Sequence, residues 1–151
     1  MSKFQLAWGG SGNDELMAVR ASGSGFVAAG QIATMGAGSG DDLVMRLDDC
    51  GSVVWAKTYG GGGKDSLTWL EPTGDGGWIA AGQSTSGDPS GDAWVVKLGD
   101  DGTKQWGMLH GGSGYDLAQS VVPAVPAVVR ISETCVDWRR RMQPVPHDGI
   151  S

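Results

Sequence analysis

The sequence predicts an all-β chain in which two four-stranded repeat units are flanked by partial ones. Three observations predict it. A Gly-Gly-x-Gly-x-Asp phrase occurs three times at a constant spacing of 51 residues, opening at Gly9, Gly60 and Gly111. Between the copies, short runs of Val, Ile, Trp and Phe alternate with Gly, Asp and Ser clusters, the pattern of strands bounded by turns. No segment of residues 1–122 carries a long helical period.

The repetition covers a whole unit. Gly25-Phe26-Val27-Ala28-Ala29-Gly30-Gln31 returns as Gly77-Trp78-Ile79-Ala80-Ala81-Gly82-Gln83. Gly40 to Leu47 returns as Gly91 to Leu98, and Gly51 to Trp55 as Gly102 to Trp106. One insertion and one deletion around the Ala-Ala-Gly-Gln phrase keep the period. The units run roughly from 14 to 64 and from 65 to 115, inside a repeat region of residues 1–122. A fixed period of this length marks a repeat architecture, in which neighbouring units cover each other's apolar faces.

Each element follows from local chemistry. The first strand spans Glu15 to Arg20, matched by Ser66 to Glu71. The second, Phe26 to Gln31 and Trp78 to Gln83, is apolar at successive positions, as in a strand covered on both faces. The third alternates: Leu43, Met45 and Leu47 share one face, with Val44 and Arg46 on the other. Trp94 to Leu98 is its counterpart. The fourth spans Val53 to Thr58 and Lys104 to Leu109. The Asp48–Gly51 and Gly99–Gly102 stretches are hairpin turns, with Asp to bond backbone amides and Gly for positive φ.

The flanks are incomplete. Phe4 aligns with Trp55 and Trp106, and Trp8 with Tyr59 and His110, so residues 4–8 read as the fourth strand of a preceding unit. Asp116 to Val122 reads as the first strand of a following one. Residues 123–151 change character. Only one of 27 glycines lies there, against four of six prolines and four of six arginines. This tail reads as disordered, as a capping helix with Ile131, Cys135, Trp138 and Met142 on one face, or as the product of a frame-shifted gene end.

Charge narrows the classes of function. The formal net charge is −6. Nucleic-acid binders need clustered positive charge, and Arg139-Arg140-Arg141 is too short a run to supply it. No stretch approaches the apolar length of a membrane span. No signal peptide is visible after Met1. Cys50 lies in a turn and Cys135 in the tail, so no disulfide framework is expected.

The motifs that invite chemistry each fall short of it. Gly9 to Met17 fits a calcium-binding glycine-rich nonapeptide, but such nonapeptides hold calcium between tandem turns and these copies lie 51 residues apart. Gly9, Gly10 and Asp14, Gly60, Gly61 and Asp65, and Gly111, Gly112 and Asp116 are expected instead to form structural joints between units. Gly63-Lys64 lacks the first glycine and the hydroxyl residue of a phosphate loop. The pairs Asp48-Asp49 and Asp100-Asp101 recur at equivalent turn positions, unlike catalytic carboxylates. No nucleophile–base–orienter set is discernible, and no catalytic residue, metal or cofactor is expected. Trp69 and Trp94 replace Ala18 and Leu43, which makes them candidates for stacking on a ligand if exposed.

The phrases Gly111-to-Val121, Asp75-to-Ser84, Gly91-to-Trp106 and Trp55-to-Gly61 resemble a family of bacterial propeller-type repeat proteins. The resemblance covers residues 4 to about 122. It implies β-propeller-like blades of four strands, a secreted or cell-surface setting, and no particular activity. The Gly-x-x-x-Trp element at Gly51–Trp55 and Gly102–Trp106 is similar to the tryptophan-docking element of quinoprotein propellers. Its upstream Asp and Thr are unmatched here, so no quinone is expected. Two and a half blades cannot close a ring, since propellers close with four to eight. The expected architecture is therefore open or fragmentary, and the expected partners are the remaining blades of a longer chain or other proteins. The expected role is a non-catalytic scaffold or binding module of a larger bacterial protein. The alternative is a fragment of a secreted propeller hydrolase whose catalytic residues lie in other blades.

Overall fold

A computed structural model describes residues 4–36, 38–124 and 128–131. The chain is all-β, and the described residues contain no helix. Strands β1 (Glu15–Ser22), β2 (Gly25–Ile32), β3 (Asp41–Leu47) and β4 (Val53–Tyr59) form one antiparallel sheet in sequence order. Strands β5 (Asp65–Pro72), β6 (Trp78–Ser84), β7 (Asp92–Leu98) and β8 (Lys104–His110) form a second sheet in the same order. Neither sheet closes on itself, consistent with open, propeller-like blades. A short hairpin of β9 (Val121–Ala124) and β10 (Val128–Ile131) follows.

The two sheets carry the same irregularities at the same places. In β1 the register slips between Leu16 and Ala18, and in β5 between Leu67 and Trp69. An extra residue shifts the side-chain alternation by one, because strand side chains alternate with period two. Leu67 and Leu70, three apart, therefore share one face, and Trp69 turns to the other. A second bulge follows Arg46 in the β3–β4 pairing and Lys97 in the β7–β8 pairing.

The turns repeat as well. Asp48 Oδ1 accepts from the amides of Cys50 at 2.9 Å and Ser52 at 2.8 Å, and Asp101 Oδ1 from that of Thr103 at 2.9 Å. Gly51 and Gly102 close these hairpins with φ of 83° and 77°, where an L side chain is strained.

Stacking is face to back. The back of the first sheet offers Ala18, Val27, Ala29 and Val44, and the front of the second covers it with Leu67, Leu70, Trp78, Ala80, Trp94, Val96 and Leu98. The outer face of the second sheet, around Ile79, Ala81 and Val95, is covered by Ala118 and Val121. The front of the first sheet, around Ala28, Ile32, Leu43 and Met45, is partly covered by Trp8. The second sheet thus meets a neighbour on both faces, which suits its doubly apolar central strands, whereas the first sheet meets one on its back.

Two expected strands do not form. Residues 4–8 are not a strand, and neither are residues 116–120. The reason is pairing. A fourth strand needs a third strand beside it, a first strand needs a second, and an unpaired ribbon does not satisfy its backbone groups. Residues 116–118 instead hang from the second sheet, with the Asp116 amide on the Gly91 carbonyl at 2.9 Å and the Ala118 amide on that of Gly82 at 3.1 Å. The tail does open with regular structure, the β9–β10 hairpin, and Ile131 lies in β10 rather than in a helix. The remainder of the expected helix lies outside the described residues, as does Cys135.

Candidate functional site

The three glycine-rich phrases form one kind of joint. Asp14 Oδ2 accepts from the Gly10 amide at 2.7 Å, Asp65 Oδ2 from the Gly61 amide at 2.9 Å, and Asp116 Oδ2 from the Gly112 amide at 3.0 Å. In each, the carboxylate ties down a backbone amide four residues earlier, as a short acidic side chain does in a turn. The joint also anchors the next unit: the Asp65 amide donates to the Gly40 carbonyl at 2.8 Å, the same contact that Asp116 makes with Gly91. Asp14 Oδ1 further accepts from the Ala33 amide at 2.9 Å. That bond, then the one from Gly10, holds its carboxyl below the usual range.

Buried acids gather where the two sheets meet. Asp41, Asp42 and Asp65 are all buried, a costly placement for carboxylates. Asp42 Oδ2 accepts the Trp94 indole N–H at 2.7 Å. Burial pushes the Asp42 carboxyl well above its ordinary value, against the pull of the Trp94 bond and with repulsion from Asp65 and Asp41 in support. Asp65 is held by Gly61 and by the Ser86 hydroxyl, 3.1 Å from each carboxylate oxygen. Both oxygens of Asp41 and Oδ1 of Asp42 are buried without a protein partner. Asp92 and Asp116 approach Gly111 as Asp41 and Asp65 approach Gly60, so this carboxylate pairing belongs to the repeat.

Among the described residues, the trio with ligand atoms within 4.8 Å of one another is Asp48, Asp49 and Cys50. Asp48 already accepts two backbone amides there, so its carboxylate is engaged in closing the hairpin. The neighbouring carboxylate of Asp49, then that of Asp48, pushes the Cys50 thiol up, which disfavours the thiolate.

The two tryptophans considered for stacking are engaged by the protein. Trp94 is 9% exposed and sits in the inter-sheet core with its N–H on Asp42. Trp69 packs on the outer face of the second sheet, and the Arg20 guanidinium lies 4.8 Å from its ring centre. Tyr59, counterpart of Trp8 and His110, donates its hydroxyl to the Gly102 carbonyl at 2.6 Å.

What the motif reading passed over is an apolar surface. Leu16, Val19 and Phe26 on the front of the first sheet are exposed, at 54%, 57% and 36%. With Phe4, Met17 and Leu47 they line a groove of about 440 Å³. The signal was available: Leu16 and Val19 stand 51 residues before Leu67 and Leu70, both 0% exposed. Among the described residues no helix is long and apolar enough to cross a membrane. No known family matches the chain, and no curated protein matches it.

Proposed function

We propose that this chain is a non-catalytic, β-propeller-like repeat segment that serves as scaffold or binding module within a larger bacterial assembly at the cell surface or outside the cell. One observation carries the reading. The carboxylates of the glycine-rich joints are copies at equivalent repeat positions performing the same structural task. Asp14, Asp65 and Asp116 each close a glycine turn at 2.7–3.0 Å, and the corresponding hairpins are each closed by an acid, Asp48 in one unit and, two positions further along the turn, Asp101 in the next. A catalytic site is ordinarily an asymmetric set of groups with unlike roles, whereas a scaffold repeats one solution. The partners this reading calls for are further blades or proteins with complementary apolar faces.

The test combines turnover with calorimetry. The full chain is incubated with a panel of chromogenic glycosides and polysaccharides, and melted in calcium and in chelator. The expected result is hydrolysis at the rate of buffer alone and superimposable melting curves. Turnover above background would overturn the reading, and a calcium-dependent melting temperature would replace it with a metal-stabilised array.

A further inference from the structure

The two joints between units are built alike and differ at one buried position. In the first, the Asp65 amide donates to the Gly40 carbonyl at 2.8 Å, and in the second the Asp116 amide donates to the Gly91 carbonyl at 2.9 Å. Two residues after the accepting glycine stands Asp42 in the first joint and Ala93 in the second. Both are buried. The first joint therefore has a carboxyl enclosed beside it where the second has a methyl group.

Asp42 is surrounded by groups that do not compensate a charge. On its own strand, Asp41 is buried with both carboxylate oxygens unpartnered. From β5, Asp65 brings a third buried carboxyl, held by the Gly61 amide and the Ser86 hydroxyl. The register sets the uncharged Gln31 of β2 on one side and Tyr59 of β4 on the other. The Tyr59 hydroxyl is committed to the Gly102 carbonyl, and burial pushes its ionisation further up. From β7, Trp94 gives Oδ2 one N–H at 2.7 Å and leaves Oδ1 without a partner. Lys104 of β8 lies over the Trp94 ring, 5.9 Å from its centre, and Lys64 is exposed. Among the described residues, the ion pairs join Arg20 to Glu71, Arg46 to Asp100 and Lys97 to Asp75, and none reaches these acids. An ionised Asp42 in this enclosure has one hydrogen bond, two neighbouring carboxyls and no cation, so only contact with water can solvate it.

We propose that the first joint is a proton-operated catch: it is closed while Asp42 holds a proton and opens locally when Asp42 ionises, whereas the second joint does not respond. The proton passes to water as the joint opens, and the carboxylate is solvated there. Burial pushes the Asp42 carboxyl well above its ordinary value of 3.8, so the closed joint binds a proton that the open one releases. Closure is therefore strongest below 3.8 and weakens by about tenfold per pH unit above it, until the closed-state value is passed. The proposal rests on the scaffold reading for the structural role of the joints, and adds regulation to it.

Amide hydrogen exchange on the full chain from about pH 4 to about pH 7, expressed as protection relative to the unstructured rate at each pH, tests this. The expected result is a fall of about tenfold per pH unit in the protection of the Asp65 amide and of the Thr85 amide, which donates to the Lys64 carbonyl beside it. The Asp116 and Ala118 amides of the second joint keep theirs. Asp42→Asn is expected to hold the Asp65 amide at one level of protection throughout. Trp94→Phe keeps a ring in the core and removes the indole N–H that favours the carboxylate, so the fall extends to higher pH. That second variant decides the matter if Asp42→Asn does not fold, and a fall that ends at the parent's pH would count against the catch. Protection that falls equally at both joints reports unfolding of the whole chain and overturns a local opening. A slope that survives Asp42→Asn, or no slope at either joint, overturns Asp42 as the proton site. The scaffold reading stands in all of these cases, since it falls only on turnover or on calcium-dependent melting.

Discussion

The fronts of the two sheets are built from the same positions and end in different states. Leu67, Leu70 and Trp78 are buried; Leu16, Val19 and Phe26 are exposed. Strand order, bulges and turns are shared, so the difference lies in the neighbour and not in the sheet. The charged residues tell the same story. Arg46 reaches across to Asp100 of the next sheet at 2.8 Å, whereas its counterpart Lys97 turns back to Asp75 in its own sheet at 2.9 Å. A repeat position thus specifies an interface, and its side chain adopts a local partner when no following sheet supplies one.

The strongest way to break this comparison is to truncate one residue in both sheets. Leu70→Ala removes a fully buried side chain from the inter-sheet core and is expected to cost about 2–5 kcal/mol. Val19→Ala at the equivalent position is expected to change the isolated chain by no more than about 0.5 kcal/mol. Denaturant unfolding at low protein concentration measures both, and equal losses would show that the first sheet is already covered.

Asp42 and its repeat counterpart Ala93 form the next pair, one sheet having a buried acid where the other has a methyl group. Burial raises the Asp42 carboxyl above its unfolded value of 3.8, so the folded chain binds a proton that the unfolded chain releases. That contribution to stability is complete below 3.8 and is lost as pH rises through the folded-state value. Asp42→Asn keeps an oxygen for the Trp94 indole and removes the charge. It is expected to melt above the parent at about pH 7, with the two curves converging towards about pH 4. Melting profiles that run parallel across that range would show that Asp42 does not titrate with folding.

Much of the fold was legible because turn chemistry and strand composition recur together. Gly51 and Gly102, the Asp turns and the eight strands of the two sheets all lie where those signals place them. Edges were less legible. The periodicity that reveals a strand at residues 4–8 and 116–122 contains no information about whether a pairing partner stands beside it. The bulges were also hidden: nothing local to Met17 or Thr68 announces an extra residue, yet that residue decides which of Leu67, Trp69 and Leu70 face the first sheet. Asp42 could not be distinguished from the surface acids because its burial depends on Trp94, 52 residues away.

The two hairpin glycines sharpen the comparison at smaller scale. Gly51→Ala and Gly102→Ala both force an L side chain into the left-handed region, at about 1–2 kcal/mol each. A Cβ at Gly102 also meets Trp55, held within β4, while one at Gly51 meets Phe4, which lies outside any strand and can move aside. Gly102→Ala is therefore expected to be the more damaging of the two. Thermal melting of both variants decides it, and a larger loss at Gly51 would mean that residues 4–8 are held as firmly as a strand.

The smallest effect concerns Arg46 and Lys97. Both pairs are partly solvent-exposed, and such pairs contribute about 0–1 kcal/mol, less at high salt. Arg46→Ala loosens contact between the sheets, whereas Lys97→Ala loosens only the Asp75 turn of its own sheet. Hydrogen exchange separates what equilibrium stability does not. In Arg46→Ala, amides along the β7–β8 turn, where Asp100 lies, are expected to lose protection together with those of β3. In Lys97→Ala, the loss is confined to β7 and the β5–β6 turn. The same exchange pattern in both variants would mean that Arg46 also acts within its own sheet, and that equivalent side chains do not depend on the neighbour for their partner.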